Sequence, residues 1–481
     1  MTSNLNPHSQ MEDFDIQWLG DVPEHWSVRR LRNVANVLFS NVDKHSKDDE
    51  ISVRICNYSD VYHNERIHSG MSFMRATASA EEIEKFRLNP GDVLITKDSE
   101  SWDDIGVPAL VQNSASDVIC GYHLALLRPI SGIMTGSFLH RAFTCPGVAT
   151  QLFVRANGVT RFGLSQNAIK SCLLPVPLPT EQTAIVCFLD QANLQIERYI
   201  RAKEKLISLL EEQKQVMIHD AVMGRIDVRT GKPYPEYRPS DAEWLGDMPA
   251  HWEMGRLSSL MANVVDQSRL EAIGGVFLAM EHIESWTGKL QHSERVFAPD
   301  GWSKRFQAGD ILFGKLRPYL AKVARPETAG CCVGEFLVLR SRHENYQGAY
   351  AEHFLRSKLV IDTINSSTYG ARMPRAEWTF IGNLRVVCPP PPEQTAIACF
   401  LDEATANANR AIAHAKREIE LLREYRTCLI ADIVTGKLDV REAANELPEL
   451  DSGPDDGDAE QFGPNQGHNH PKSACGRRQR K

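Results

Sequence analysis

The sequence has no apolar run near the 18 residues that a membrane-spanning helix needs, so no transmembrane segment is expected. No Lys or Arg precedes Arg29, while Glu12, Asp13 and Asp15 lie in that stretch, which does not read as a secretory signal. The 11 cysteines include no C-x-x-C pair and no zinc-module spacing; scattered free thiols fit a reducing, cytoplasmic setting. Excess positive charge is also missing. With 54 Lys and Arg against 62 Asp and Glu, the net charge is −8, which excludes a uniformly basic nucleic-acid coat but not a local basic surface.

Catalytic signatures are absent as well. There is no G-x-x-x-x-G-K-[ST] loop, no G-x-G-x-x-G opening a helix after a strand, and no Asn/Asp-Pro-Pro-Tyr tetrapeptide. His-Glu-x-x-His and Gly-x-Ser-x-Gly are missing too. No catalytic residue, metal site or resident cofactor is assigned. Glu82-Ile83-Glu84-Lys85 comes nearest, as half of a metal-dependent nuclease pattern, but its helix-like setting reads as a solvated charged face. His468 and His470 sit in a polar tail and read as solvated rather than metal-binding.

What is present is a duplication. Trp18-Leu19-Gly20-Asp21-Val22-Pro23-Glu24-His25-Trp26 returns 226 residues later as Trp244-Leu245-Gly246-Asp247-Met248-Pro249-Ala250-His251-Trp252. Pro179-Thr180-Glu181-Gln182-Thr183-Ala184-Ile185-Val186-Cys187-Phe188-Leu189-Asp190 returns at offset 212 as Pro391-Pro392-Glu393-Gln394-Thr395-Ala396-Ile397-Ala398-Cys399-Phe400-Leu401-Asp402. The same offset carries Gly224-Arg225-Ile226-Asp227-Val228 onto Gly436-Lys437-Leu438-Asp439-Val440. Between these boxes the match is faint. A kept frame around two divergent inserts points to one scaffold presenting two different recognition surfaces. Each Trp box reads as an aromatic packing clamp.

Residues 181–223 predict a long helix: proline just before it, none inside, and Gly224 to stop it. A heptad reading places Ile185, Leu189, Ile196, Leu206, Leu210 and Met217 on its seam, and Ile397, Leu401, Ala408, Ala415, Leu422 and Leu429 on that of the second copy. The expected fold is α+β: two globular heads in tandem, each followed by a long helix, the helices forming an antiparallel coiled coil with pseudo-two-fold symmetry. The expected spans are a first head at 15–180, helix 181–223, linker 224–243, second head 244–392, helix 393–441 and disordered tail 446–481. Within the heads, strands are expected near 51–55, 92–96, 120–127, 310–313 and 333–339, and helices near 80–86, 137–143 and 350–361. Residues 22–178 hold 16 basic and 16 acidic side chains, and residues 248–392 hold 17 and 14, so the heads are the least acidic parts of the chain.

The paired Trp boxes, the paired Pro-x-Glu-Gln-Thr-Ala-Ile-x-Cys-Phe-Leu-Asp helix starts and the paired Gly-x-x-Asp-Val helix ends together resemble the specificity subunit of type I restriction-modification systems, over residues 15–441. The resemblance implies two target-recognition domains, each reading half of a split site in double-stranded DNA. It implies spacer helices that dock two modification (methyltransferase) subunits, with restriction (motor-nuclease) subunits completing the complex and no membrane partner. S-adenosylmethionine, ATP and Mg2+ would then belong to those partners, as would adenine methylation and ATP-dependent cleavage. In that setting one helical turn inserted after Leu206 lengthens the unread spacer between half-sites.

Base and phosphate contacts draw on Arg, Lys, Asn, Gln and hydroxyl side chains. The candidates in head one are Lys97, Ser99 and Ser101 after the Gly-Asp strand, and Arg155, Asn157, Thr160 and Arg161. In head two they are Lys315, Arg317 and Tyr319, with Tyr369, Arg372 and Arg375. Gly158 and Gly370 align at offset 212 and place the later segments at one site of the scaffold. Two other classes stay open on sequence alone: a self-contained restriction or modification enzyme, and a helical scaffold that binds only protein.

Overall fold

The computed structural model describes residues 5–14, 18–269, 276–291, 302–370 and 372–447. The predicted tail, from residue 448 onward, lies outside the described residues. The fold is mixed helix and strand. Two compact units divide the chain: residues 1–196 with 424–481, and residues 197–423. Among the described residues no helix is long and apolar enough to cross a membrane.

In the first unit, a five-stranded sheet has the order Ala35–Phe39, Leu124–Pro129, Val93–Thr96, Pro108–Val111, Arg66–Ile67. A three-stranded sheet sets Ile51–Cys56 between Val118–Cys120 and Met74–Ala78. The predicted strand at 120–127 is two strands, broken at residues 121–123. Gly121 permits the break: a Cβ there would lie 2.8 Å from the Cys56 carbonyl oxygen. The helix Ala80–Phe86 begins with a capping box between Ser79 and Glu82. Glu82 is therefore a helix-capping carboxylate, which explains it without any nuclease chemistry.

The second unit repeats the plan. One four-stranded sheet runs Met261–Val264, Phe336–Ser341, Ile311–Gly314, Val323–Ala324, and another runs Gln267–Arg269, Trp302–Phe306, Gly330–Cys332, Val276–Leu278. The predicted helix at 350–361 is two, Gly348–Arg356 and Lys358–Ser366, separated by extended Ser357. In both heads an antiparallel strand pair closes the insert on itself: Ser27–Arg30 with Leu173–Val176, and Glu253–Arg256 with Arg385–Cys388.

The long helices span Pro179–Val222 and Pro391–Val434. The second stops short of residue 441, because Gly436 takes the left-handed φ of +77° that ends a helix. Within the second unit the helices run antiparallel, with Lys203 to Glu418 at 2.6 Å, Lys214 to Asn409 at 3.1 Å and Arg423 to Glu204 at 3.4 Å. The seam differs from the heptad reading. Ile185, Leu189, Ile196, Ile397, Leu401, Ala408, Ala415 and Leu429 are buried; Leu210, Met217 and Leu422 are half-buried; Leu206 is exposed. Ile200 and Ile207 turn inward, each one residue beyond the outward-facing Tyr199 and Leu206. The inward positions 185, 189, 192, 196, 200, 203, 207, 210, 214, 218 and 221 advance by close to 3.6 residues per turn, the period of a straight helix, and a 3.5 repeat drifts off that face.

The motif residues build the joint of each unit. Gln182 accepts from the Thr135 amide and donates to the carbonyls of Ile133 and Pro177. Gln394 does the same with the Gln347 amide and the carbonyls of Asn345 and Pro389. Asp190 takes Arg141 at 2.6 Å and Arg66 at 3.0 Å, and Asp402 takes His353 at 2.9 Å. In each Trp box only the second tryptophan is buried, Trp26 and Trp252; Trp18 is exposed and Trp244 half-buried. Gly436 packs against Pro23 and Trp26, and Gly224 against Pro249 and Trp252, so closely that a Cβ would lie 2.3 and 2.6 Å from the two proline rings.

Candidate nucleic-acid interface

A single hydrogen-bond framework recurs in both heads and brings the two candidate segments of each head together. In head one the Lys97 amide donates to the His123 carbonyl at 3.1 Å, and the Leu164 amide donates to the Lys97 carbonyl at 2.8 Å. In head two the Lys315 amide donates to the Glu335 carbonyl at 3.0 Å, and the Ala376 amide to the Lys315 carbonyl at 2.9 Å. Beneath each framework the Gly-Asp strand is locked by a bidentate pair, Arg128 on Asp92 and Arg340 on Asp310, at 2.7–3.0 Å.

On this base each head raises a hairpin. Asn157 and Gly163 bridge in head one, and Tyr369 and Arg375 in head two. Both turns pass through a left-handed glycine, Gly158 at φ +151° and Gly370 at φ +93°. Thr160 and Arg161 stand exposed at the first tip, beside the almost fully exposed Val159. Arg372 stands exposed at the second, beside Met373. An exposed apolar residue flanked by Arg at a hairpin tip suits contact with a groove and its phosphates.

The remaining candidates divide. Phe162 and Gly163 pair with Ser99 and Asp98, so Ser99 is buried, its oxygen accepting from the Ser101 amide. Ser101 bonds Asp103. Arg155 is half-buried, and its guanidinium donates to the Ala168 carbonyl and to Ser171, both at 3.3 Å. Asn157 closes the hairpin and donates to the Arg155 carbonyl. Ser99 and Arg155 thus shape the surface from within, while Asn157 is exposed at the base of the hairpin. Lys97 lies half-buried, 5.1 and 4.6 Å from the Phe39 and Tyr122 rings, with its ammonium 3.3 Å from the Ser40 carbonyl. Burial pulls its pKa below the usual lysine value, although Asp98 opposes the shift.

In head two Arg317 and Tyr319 are exposed and Lys315 is half-buried. Arg317 holds a left-handed φ of +50°, fixed by its amide bond to the Pro374 carbonyl at 2.8 Å. A non-glycine residue in that region costs energy that the surrounding hairpin must supply. Arg375 pairs with Glu335 at 2.9 Å, and the exposed Tyr369 hydroxyl donates to Glu377.

Sequence reasoning missed His123, whose Nδ1 lies 2.8 Å from the Asp98 carboxylate and 3.3 Å from the Arg161 guanidinium, and its exposed neighbour Tyr122. Their signal was hidden inside the supposed continuous strand at 120–127. The exposed Trp102, on the loop after Ser99, was also unmarked. Nearby, Tyr62 donates to Asp104 at 2.6 Å, and that bond with burial pushes its pKa up to about 12.

The molecule is a duplicated scaffold in which a constant frame carries two different exposed hairpin surfaces. No protein-family model matches the chain. By sequence it is related to type I restriction enzyme specificity subunits: 25% identical over 296 residues to the EcoDI subunit of Escherichia coli, and 23% over 251 residues to the putative MjaX subunit of Methanocaldococcus jannaschii. These matches cover 58% and 52% of this chain and 65% and 55% of the relatives, less than two thirds of their lengths. By fold it is similar to the HsdS subunit of Thermoanaerobacter tengcongensis, with a TM-score of 0.52 at 17% identity. It is also similar, with a TM-score of 0.63 at 15% identity, to a chain from work on complex assembly and conformational transition of the type I R-M system. Each fold match covers 86% of this chain and 98% of the other.

Proposed function

We propose that this chain is the DNA-recognition subunit of a type I restriction-modification complex. Its two heads each read one half of a bipartite target, and its long helices form the antiparallel coiled coil that separates the heads and receives the modification and restriction subunits. The observation that carries this reading is the repeated framework at Lys97 and Lys315, which holds unlike hairpins, tipped by Thr160 and Arg161 in one head and by Arg372 and Met373 in the other. The chain itself is non-catalytic; S-adenosylmethionine, ATP and Mg2+ act on its partners.

A second observation supports the docking role. Tyr199, Leu206, Leu209 and Val216 form an exposed outer apolar stripe on the first helix, and Leu421 and Tyr425 lie exposed on the second. A helix apolar on two faces has a second face to bury. Leu206→Glu with Leu209→Glu is expected to leave the chain folded and to abolish co-purification of the modification subunit. Retained co-purification removes the stripe from the proposal.

Methylome sequencing of a host with and without the gene, alongside the modification subunit, tests the function. The expected outcome is one bipartite adenine-methylated motif that disappears with the gene. Methyl transfer by the purified chain alone, or no change in the methylome, overturns it.

A further inference from the structure

The two copies of the frame differ at one buried joint. In the second unit the Glu393 carboxylate is fully used: Tyr234, Trp252 and His251 each approach it at 2.9 Å, and Arg229 lies at 3.2 Å. At offset 226, His8 stands where Tyr234 stands, His25 where His251 does and Trp26 where Trp252 does. The rings keep their places. His8 lies 5.4 Å from His25 and 5.9 Å from Trp26, against 5.4 and 5.7 Å around Tyr234.

Of the three hydrogen bonds, only the one from the histidine of the Trp box survives the exchange. Glu181, 5% exposed, bonds His25 at 3.1 Å through one oxygen, while its other oxygen is buried without a hydrogen-bond partner. The Trp26 indole nitrogen is orphaned too. His8 Nε2 stops 3.8 Å from the free carboxylate oxygen, and Arg441 Nε stops 3.9 Å from it, its guanidinium held by Asp439. A buried carboxylate oxygen with no donor is costly and calls for a cation or a donor.

We propose that the first copy of this joint binds a divalent transition-metal ion, of which Zn2+ is the best match, through His8, His25 and Glu181. One ligand atom from each of these residues lies within 4.8 Å of the others. A tetrahedral zinc site sets neighbouring ligands about 3.3 Å apart, from metal–ligand bonds of about 2.0–2.1 Å, so modest side-chain rotation closes the set. Two imidazoles and one carboxylate form a recurrent zinc donor set, whereas Mg2+ and Ca2+ prefer oxygen alone. Asp439, 3.9 Å from the other ring nitrogen of His8, is placed to orient that ring or supply a further ligand. A cavity of about 560 Å3 lined by His8, Glu24, His25, Asp439 and Arg441 opens on the two imidazoles, with Glu181 behind them.

The ion would tie three separate stretches of the first unit: the N-terminal segment, the Trp box and the start of the first long helix. The second unit is the internal control, because Tyr234 fills the position with a hydroxyl that satisfies the carboxylate directly.

Purified full-length chain carrying His468→Ala, His470→Ala and Cys475→Ser, so that the tail's imidazoles and thiol cannot contribute, is equilibrated with ZnCl2, gel-filtered and assayed for metal by mass spectrometry. The expected result is one zinc per chain and a thermal midpoint that rises with zinc and falls with EDTA. His8→Tyr, which installs the residue of the second copy, is expected to stay folded and lose both responses. If that variant fails to fold, Glu181→Gln must lose the zinc while Glu393→Gln keeps it. No retained zinc in the parent, or full retention in His8→Tyr or Glu181→Gln, overturns the proposal.

Discussion

Single residues in this chain carry one of two duties, and burial separates them. Glu393 holds a joint together. Burial raises its pKa, but the bonds from Trp252, His251 and Tyr234 outweigh that cost and leave it below the ordinary value of 4.5. A carboxyl depressed on folding adds stability that is complete above its unfolded pKa and is lost as pH falls through the folded one. Glu393→Gln should therefore cost about 2 kcal/mol at neutral pH, since charge-assisted bonds become neutral ones, and that deficit should shrink below pH 4.5. Urea denaturation across that range measures it. Arg372 stands exposed at a hairpin tip, where the proposed function has it face DNA. Arg372→Ala should weaken DNA binding by about 1–3 kcal/mol if it reads a base, relaxing one half-site only; a uniform loss across sequences in binding titrations marks a phosphate contact. Residue type made Arg372, Arg161 and Arg317 legible as candidates. It could not show that Arg155 and Ser99 turn inward, because the partners that turn them, Ala168, Ser171 and Phe162, come from the fold.

At the scale of the element, the long helices show what periodicity can and cannot specify. Their starts were readable to within two residues and the end of the first to within one, because proline starts and glycine stops act locally, whereas the second ends at Val434, seven residues before the expected 441. Their inner face was not readable, since apolar residues occupy two stripes and only the neighbouring helix decides which is covered. Lys214 is the clearest case: it lies on the inner face, 7% exposed, with its ammonium 3.1 Å from the Asn409 side chain. Burial depresses its pKa, so holding it protonated costs stability at neutral pH, a cost that fades as pH rises through its folded value toward 10.5. Lys214→Met with Asn409→Leu should stabilise the chain by about 1–2 kcal/mol in thermal or urea unfolding. A polar pair at such a position is also a register device, so the variant should tolerate slipped helix pairing better than the parent. The same register corrects the insertion experiment. A turn added after Leu206 alone breaks the match of Lys203 with Glu418 and Lys214 with Asn409 to one helix frame, and an equal insertion between Asn409 and Glu418 restores it.

For the whole molecule, the sequence by itself determined the duplication, the constant frame and the helix starts, because these rest on local chemistry repeated at fixed offsets. It also marked the inserts as the variable parts. On the proposed function, replacing residues 257–384, between the closing strands of the second head, with the matching insert of a type I specificity subunit should change one half-site and leave the other intact in the methylome. Only the tertiary structure decided which pieces of chain build each unit. The Gly436 end of the second helix packs on the first Trp box, and the Gly224 end of the first helix packs on the second, a pairing invisible along the chain because it joins residues some 410 positions apart in one case and 25 in the other. It decided the joints too. Tyr234 and His8 occupy equivalent places, but only contact with Glu393 or Glu181 makes one a hydrogen-bond donor and the other a candidate ligand. Sequence fixes what a side chain can do; which carboxylate it meets is set by packing among segments far apart in the chain.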